Sequence, residues 1–383
     1  MQKVLIYILA MMMLLLMSAC SSSDTTEEPQ PVKERTMLTI YVYSPDKPLM
    51  TRGDVGPVDA TAAESKVTQL QIWVFDKDAN RVGALSTTET ATLNGGEGAV
   101  YQIPVDDNFA KNKPNVDVYV LANVTVDNCG IATAFTETSI ITDLHEKAKI
   151  TTEHYGLSPL TTTVHANGLP MAGVLRNQPV IGDAPVLRIG DQSHIATVPL
   201  TRAVSKLRFV FANTTGSAKL TITGITLNAG MIPNEEYLFP QGQSLTYNSS
   251  EAPLWPSSVA EVAVAEVAET DNPVDYVYDG QEAQVYENLI NNAVNADQPQ
   301  LSQVGPYYLR ESDKRLEGTI TYRVEGIAEP MTASFRMKEN GDFERNHSWI
   351  VYAYYEGLSG MQVVTVDVTP WEERGGDHTV YNW

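Results

Sequence analysis

The chain has 383 residues, of which 47 are acidic and 26 basic, for a formal charge of −21 at pH 7. That length exceeds what one hydrophobic core supports, so two domains are expected. The acidity argues against nucleic acid or an anionic membrane surface as partner and fits a self-repelling extracellular surface.

At the amino terminus Lys3 supplies a positive charge, and Val4 to Met17 is an apolar run of 14 residues. This is the length of a signal-peptide core and too short to span a bilayer. It ends in Met17-Ser18-Ala19-Cys20, which resembles the lipobox of bacterial lipoproteins, although that motif more often has Leu where Met17 stands. Residues 1–19 are therefore expected to be a lipoprotein signal peptide and Cys20 the acylated residue, anchored by several chains at once. The following SSSDTTEEPQPVKE is polar and poor in apolar residues, as a disordered tether is. Cys129 then has no disulfide partner, and a small buried or loop position is the expectation for it.

From Met37 the chain reads as strands. Leu38, Ile40 and Val42 alternate with Thr39, Tyr41 and Tyr43, the period of a strand with one buried face. A Pro-containing loop follows and carries Lys47 and Arg52. Val67 to Phe75 places Leu70, Ile72 and Val74 on one face. Asp76-Lys77-Asp78-Ala79-Asn80 has the acidic spacing of a calcium loop, but Arg81 and Thr87 stand where an EF-hand needs Gly and Glu, so a hairpin turn is expected. Asn94-Gly95-Gly96 marks another turn. Val116, Val118, Val120 and Ala122 form a further strand ending at Asn123. Residues 130–150 hold the best candidate for a short helix, and His145 and His154 near it, lacking acidic or thiol partners at ligand spacing, are expected at the surface.

A second strand-rich block begins near Ile195. Leu207, Phe209 and Phe211 face one way, and Arg208 and Val210 the other. Leu220, Ile222 and Leu227 continue the pattern. Residues 250–300 are acidic, rich in Ala and Val and interrupted by Pro; they read as a surface insertion with a short helix over Val259 to Val267. Strands resume at Gly318 to Val324, Thr332 to Met337 and Ser348 to Tyr355, the last after a polar turn, Glu344-Arg345-Asn346-His347. Val364, Val366 and Val368 then alternate with polar residues, and the chain ends in Val380-Tyr381-Asn382-Trp383. The fold class expected is all-β with minor α.

No nucleophile elbow, phosphate loop, zinc-protease helix or dinucleotide fingerprint occurs in the sequence. Enzymatic activity, catalytic residues, cofactor sites and metal sites are accordingly not expected. Arg52-Gly53-Asp54 spells an integrin-binding tripeptide, but the cleavage discussed next divides it.

Several stretches resemble the fimbrillins of Bacteroidales, the type V pilins, and in particular their major fimbrial subunit group. They are Glu64 to Leu70 running into Trp73-Val74-Phe75, Val118 to Asn123, Arg202-Ala203-Val204, Glu344 to His347, and the tail from Trp371 to Trp383. Together they span most of the chain from residue 37 onward. The resemblance implies two tandem transthyretin-like β-sandwich domains, export as an outer membrane lipoprotein, and cleavage by an Arg-specific protease in the loop after the first strand. The organisation it implies is a signal peptide at 1–19, a propeptide at 20–52 holding the tether and a removable first strand, an N-terminal sandwich at 53–192, and a C-terminal sandwich with a donor tail at 193–383. The matching cleavage site is Arg52-Gly53, with Arg35 as competitor; a cut at Arg35 leaves Leu38, Ile40 and Val42 in place. Loss of that strand opens a slot that a second copy fills by β-augmentation, using Val364, Val366 and Val368 or the tail to Trp383. The contact is head-to-tail and does not close, so it yields a fimbria on the cell surface, with itself and other fimbrial subunits as partners. Residues 1–52 carry five basic and five acidic side chains, so the charge of −21 is unchanged by processing. Two other readings are an anchor or tip subunit, and a surface glycan-binding lipoprotein using Trp255, Tyr276 and Tyr278.

Overall fold

The computed structural model describes residues 35–43, 62–93, 98–124, 141–151, 164, 166–192, 195–213, 218–254, 262–264, 302–337, 341, 343–355 and 357–370. Within these, two β-sandwiches follow one another along the chain.

The first sandwich is built around its earliest strand. The alternation from residue 36 gives β1 (Thr36–Tyr43), with every second side chain buried. β1 pairs antiparallel with β4 (Ala99–Val105) from Thr36↔Val105 to Val42↔Ala99. Its other edge runs parallel to β9 (Val186–Ile189) over Met37 to Thr39, then to β10 (Thr197–Pro199) over Tyr41 to Tyr43. β8 (Val180–Asp183) extends this sheet beyond β9. The facing sheet runs β11 (Thr201–Arg202), β7 (Met171–Gln178), β5 (Val116–Ala122), β2 (Leu70–Asp76), β3 (Arg81–Thr87). Leu38, Ile40, Val42, Ile72, Val74, Val118, Val120 and Leu187 fill the space between the sheets. β2 and β3 form the expected hairpin. The Asp76 carboxylate accepts the Asp78 and Asn80 backbone N–H groups, both at 2.9 Å, and Ala79 takes a φ of 62°. That is turn chemistry, an Asx cap on the loop.

β2 departs from the one-faced strand the sequence suggests. Trp73 and Phe75, on its other face, are buried too. They belong to a further core with Tyr119, Leu121, Leu238 and Phe239. The short helix of this region is Ile141–Lys147, following an earlier one at Asp107–Asn112. It supplies Leu144 to the same core. His145, expected at the surface, is half-buried, and its Nε2 lies 3.0 Å from the Tyr119 hydroxyl. A two-stranded ribbon, β6 (Lys149–Thr151) with β14 (Glu235–Tyr237), covers the same region. Asn94 to Gly96 and His154 lie outside the described residues.

The second sandwich pairs β17 (Ser302–Leu309), β12 (Ser205–Asn213), β20 (His347–Tyr355) and β21 (Met361–Pro370) in one sheet. The other holds β15 (Ala252–Pro253), β13 (Leu220–Leu227), β18 (Glu317–Val324) and β19 (Met331–Arg336). Phe209, Phe211, Ile222, Tyr322, Phe335 and Trp349 pack between them. Three expectations change. The boundary at 193 falls too early, because β10 and β11 hydrogen-bond into the first sandwich's two sheets and the changeover comes after Arg202. In place of the helix expected over 259–267, Val262–Val264 is a strand, β16, antiparallel to β13; its Val-Ala-Val carries β-branched side chains suited to that pairing. β17 was hidden by its Gly305-Pro306, a pair that punctuates strands. Here Gly305 sits at φ 106°, near a register shift between Leu207 and Phe209 of β12 that absorbs it.

Candidate functional site

The slot that holds β1 is closed on both edges. β1 is an interior strand, so its removal exposes unpaired backbone on β4 on one side and on β9 and β10 on the other. Its ends are tied as well: Met37 N–H donates to Pro185 O at 2.8 Å, and Leu200 N–H donates to Tyr43 O at 2.9 Å. Leu38, Ile40 and Val42 are fully buried. Three such side chains contribute roughly 5–9 kcal/mol at about 1.5–3 each, an upper bound because the unfolded chain already buries some surface. Arg35, the exposed residue before β1, is described. Cys20, Lys47, Arg52, Gly53 and Cys129 lie outside the described residues. So do Trp255, Tyr276 and Tyr278.

The other candidate strand is already paired. Val364, Val366 and Val368 lie in β21, which runs antiparallel to β20 with Val364 opposite Tyr352 and Val366 opposite Ile350. β21 is the last strand of its sheet, with β20 on one side. Donating it to another molecule means leaving β20. Trp371 to Trp383 lie outside the described residues.

Between the two sandwiches sits a polar junction built on Glu64, two residues after the described chain resumes. Glu64 is fully buried. Lys206 Nζ lies 2.8 Å from its Oε1, and Tyr308 Oη donates to the same oxygen at 2.6 Å. Arg202 Nε donates to Glu64 O at 3.3 Å, and its other nitrogens reach Ser65 Oγ and Asn346 Oδ1, each at 3.4 Å. Burial pushes the Lys206 pKa down against the pull of Glu64, and burial with the adjacent carboxylate pushes the Tyr308 hydroxyl up. Next to it, Asn123 accepts from Thr68 N–H at 2.8 Å and donates to Lys66 O at 2.6 Å and Leu169 O at 2.7 Å.

A second buried cluster adjoins it. Arg345 Nε donates to Glu311 Oε2 at 2.9 Å, and its Nη2 lies 3.1 Å from Glu236 Oε1. Two carboxylates thus share one guanidinium. Arg345 outweighs burial at Glu311 and holds its pKa low, whereas burial raises Glu236 to about 8. The Glu344 to His347 segment is the polar turn the sequence suggests, with Asn346 at φ 63°, but its two central residues, Arg345 and Asn346, are buried, and Asn346 N–H donates to Val204 O at 2.9 Å. Sequence reasoning missed this function for Glu64, Arg202 and Arg345. The signal available was that four separate stretches whose sequence resembles the fimbrillins (Glu64 onward, Val118 to Asn123, Arg202 to Val204, Glu344 to His347) are the ones that meet here.

Among the described residues no group of three or more His, Cys, Asp or Glu side chains is placed to hold a metal, and no helix is long and apolar enough to cross a membrane.

The family of fimbrillin-A associated anchor proteins Mfa1 and Mfa2 matches residues 34–375. Among solved structures, a candidate cell adhesion protein from Parabacteroides distasonis is similar with a TM-score of 0.51 and 13% identity, over 89% of this chain and 99% of that one. The tip fimbrial protein Mfa3 from Porphyromonas gingivalis has a TM-score of 0.49 and 12% identity over 87% of this chain and 99% of that one. The fimbrial anchor protein Mfa2 from the same organism has a TM-score of 0.35 and 10% identity over 87% and 97%. No curated protein matches the chain.

Proposed function

The chain belongs to the family of fimbrillin-A associated anchor proteins, and from that premise we propose that it is a structural subunit of a cell-surface fimbria whose first strand is a removable placeholder. The observation that carries this reading is the position of β1. It is the first described element, and later strands flank it on both edges. A strand so placed can leave without cutting the rest of the chain only if the chain behind it is opened. Residues 44–61, which follow β1, contain Arg52.

The sequence of events proposed is export as an outer membrane lipoprotein acylated at Cys20, cleavage between Arg52 and Gly53 by an Arg-specific protease, and replacement of β1 by a strand from a neighbouring subunit. The role resembles that of the major shaft subunit. Since β21 is engaged by β20, the segment 371–383 is the donor that leaves the second sandwich whole. Deleting 371–383 should preserve export and folding and abolish ladders of polymer; ladders that persist overturn the assignment.

A second reading is favoured by the family's own description as anchor proteins. An anchor keeps its lipid, leaves Arg52 uncut and retains β1. Amino-terminal sequencing of surface material separates the two. A start at Gly53 supports the shaft subunit, and an acylated Cys20 start throughout supports the anchor.

A further inference from the structure

The buried side chains of β1 lie on its inward face, yet one feature of the slot reads the outward face. Tyr41 lies opposite Val100 in β4. Gly98 is therefore its diagonal neighbour on the same face, within reach of an aromatic ring. A Cβ built on Gly98 would fall on the tip of the Tyr41 ring, meeting Cζ, Oη and Cε1. The Gly98 backbone does not lie in the left-handed region, so its conformation does not demand glycine. What demands it is the ring. The arrangement is an aromatic side chain laid over a strand-end glycine, a device that covers exposed backbone and fixes register.

Register matters here because a period-2 strand can slide by two residues and still point aliphatic side chains inward. Leu38, Ile40 and Val42 alone do not forbid that slide. Tyr41 over Gly98 adds a second constraint: a slide one way brings Thr39 to the notch, and a slide the other way brings Tyr43 there but leaves Ser44 in the inward place of Val42.

From this geometry we infer that the slot selects its occupant by an aromatic side chain seated over Gly98, so that the strand replacing β1 carries the pattern apolar, any, apolar, aromatic, apolar. This rests on the strand-exchange reading above and names the partner's chemistry. It also bears on β21. With Val364, Val366 and Val368 pointing inward, the residue at the notch is Thr365, Asp367 or Thr369, depending on which valine takes which position. None is aromatic. β21 is thus a poor occupant, in keeping with a donor at 371–383, where Tyr381 follows Val380.

The test has two arms. In the uncleaved chain, Tyr41→Ala, Gly98→Ala and the double variant are compared by denaturant midpoint. Gly98→Ala should lower the midpoint mainly by displacing the ring, so the loss should largely vanish on the Tyr41→Ala background; additive losses overturn the contact. In the chain cut after Arg52, labelled peptides are titrated into the slot. A peptide of residues 36–43 and its Tyr41→Phe form should bind equally, and its Tyr41→Ala form about tenfold more weakly. A peptide of residues 362–370 should bind about tenfold more tightly once Asp367→Tyr is introduced. Equal binding by the tyrosine and alanine forms overturns the selection while leaving strand exchange standing. If no peptide enters the cut chain, strand exchange fails and the selection falls with it.

Discussion

At the scale of single residues, the buried charges decide most. Glu64 and Lys206 form an ion pair with almost no exposure, surrounded by Tyr308 and Arg202. Such a pair adds little net stability against an apolar replacement, but breaking it strands one charge, at about 3–5 kcal/mol. Glu64→Ala should therefore destabilise the chain by that amount in urea titration, and Glu64→Leu with Lys206→Met should recover most of it. Equal losses in the single and double variants would argue that packing, not charge, is at stake. Glu236 makes a pH prediction. Its carboxyl pKa is raised from 4.5 to about 8, mainly by burial. The folded state then holds a proton that the unfolded state releases, so this group's stabilisation is full below about pH 4.5 and is lost as pH rises through 8. The urea midpoint of wild type minus that of Glu236→Gln should fall between pH 5 and 8; a flat difference would refute it. None of these roles was legible locally. Glu64 reads as one more acidic residue on an acidic chain, and its partners lie 138 to 244 residues away. Arg345 reads as part of a turn because its carboxylates come from two other segments.

At the scale of elements, legibility followed periodicity. β1 and β18 alternate cleanly, β5 and β12 carry an apolar residue at every second place of one face, and the sequence places all four within two residues of their ends. β17 and β16 were lost, one to Gly305-Pro306 and the other to an Ala-rich and Val-rich composition that suits helix and strand alike. The slot itself was half visible. The aliphatic face of β1 can be read from three residues, but its interior position in the sheet comes from parallel pairing to β9 and β10, some 150 residues later. That position gives an element-level prediction. Ile40→Ala should cost about 2–5 kcal/mol in the uncut chain, because it leaves a cavity between the sheets. After cleavage and assembly the same variant should be indistinguishable from wild type in thermal melts, since β1 is gone. A deficit that survives into the polymer would show that β1 stays.

For the molecule as a whole, the question is whether two sandwiches behave as one body, as a subunit that transmits load along a filament must. The residues from Thr36 onward form one compact unit. The reason lies in the core shared between the sandwiches. Trp73, Phe75 and Tyr119 come from the outer face of β2 and β5, whereas Leu238, Phe239 and Tyr308 come from the second half of the chain. Phe239 meets the edge of Tyr119 with ring centroids 4.9 Å apart, and the β6–β14 ribbon bridges the same halves by backbone hydrogen bonds. A junction that is apolar, ionic and hydrogen-bonded together should make the halves unfold in one transition despite two separate cores. Phe239→Ala removes the ring at the centre of that junction. The expected loss is about 3–5 kcal/mol, felt by the junction and not by either sandwich core. Urea unfolding followed by tryptophan emission reports both halves, since Trp73 lies at the junction and Trp349 in the second core. The wild type should give one sigmoid and Phe239→Ala two. A single transition shifted intact to lower urea would mean that the Glu64 cluster alone couples the sandwiches, and the Glu64→Ala variant should then be the one that splits.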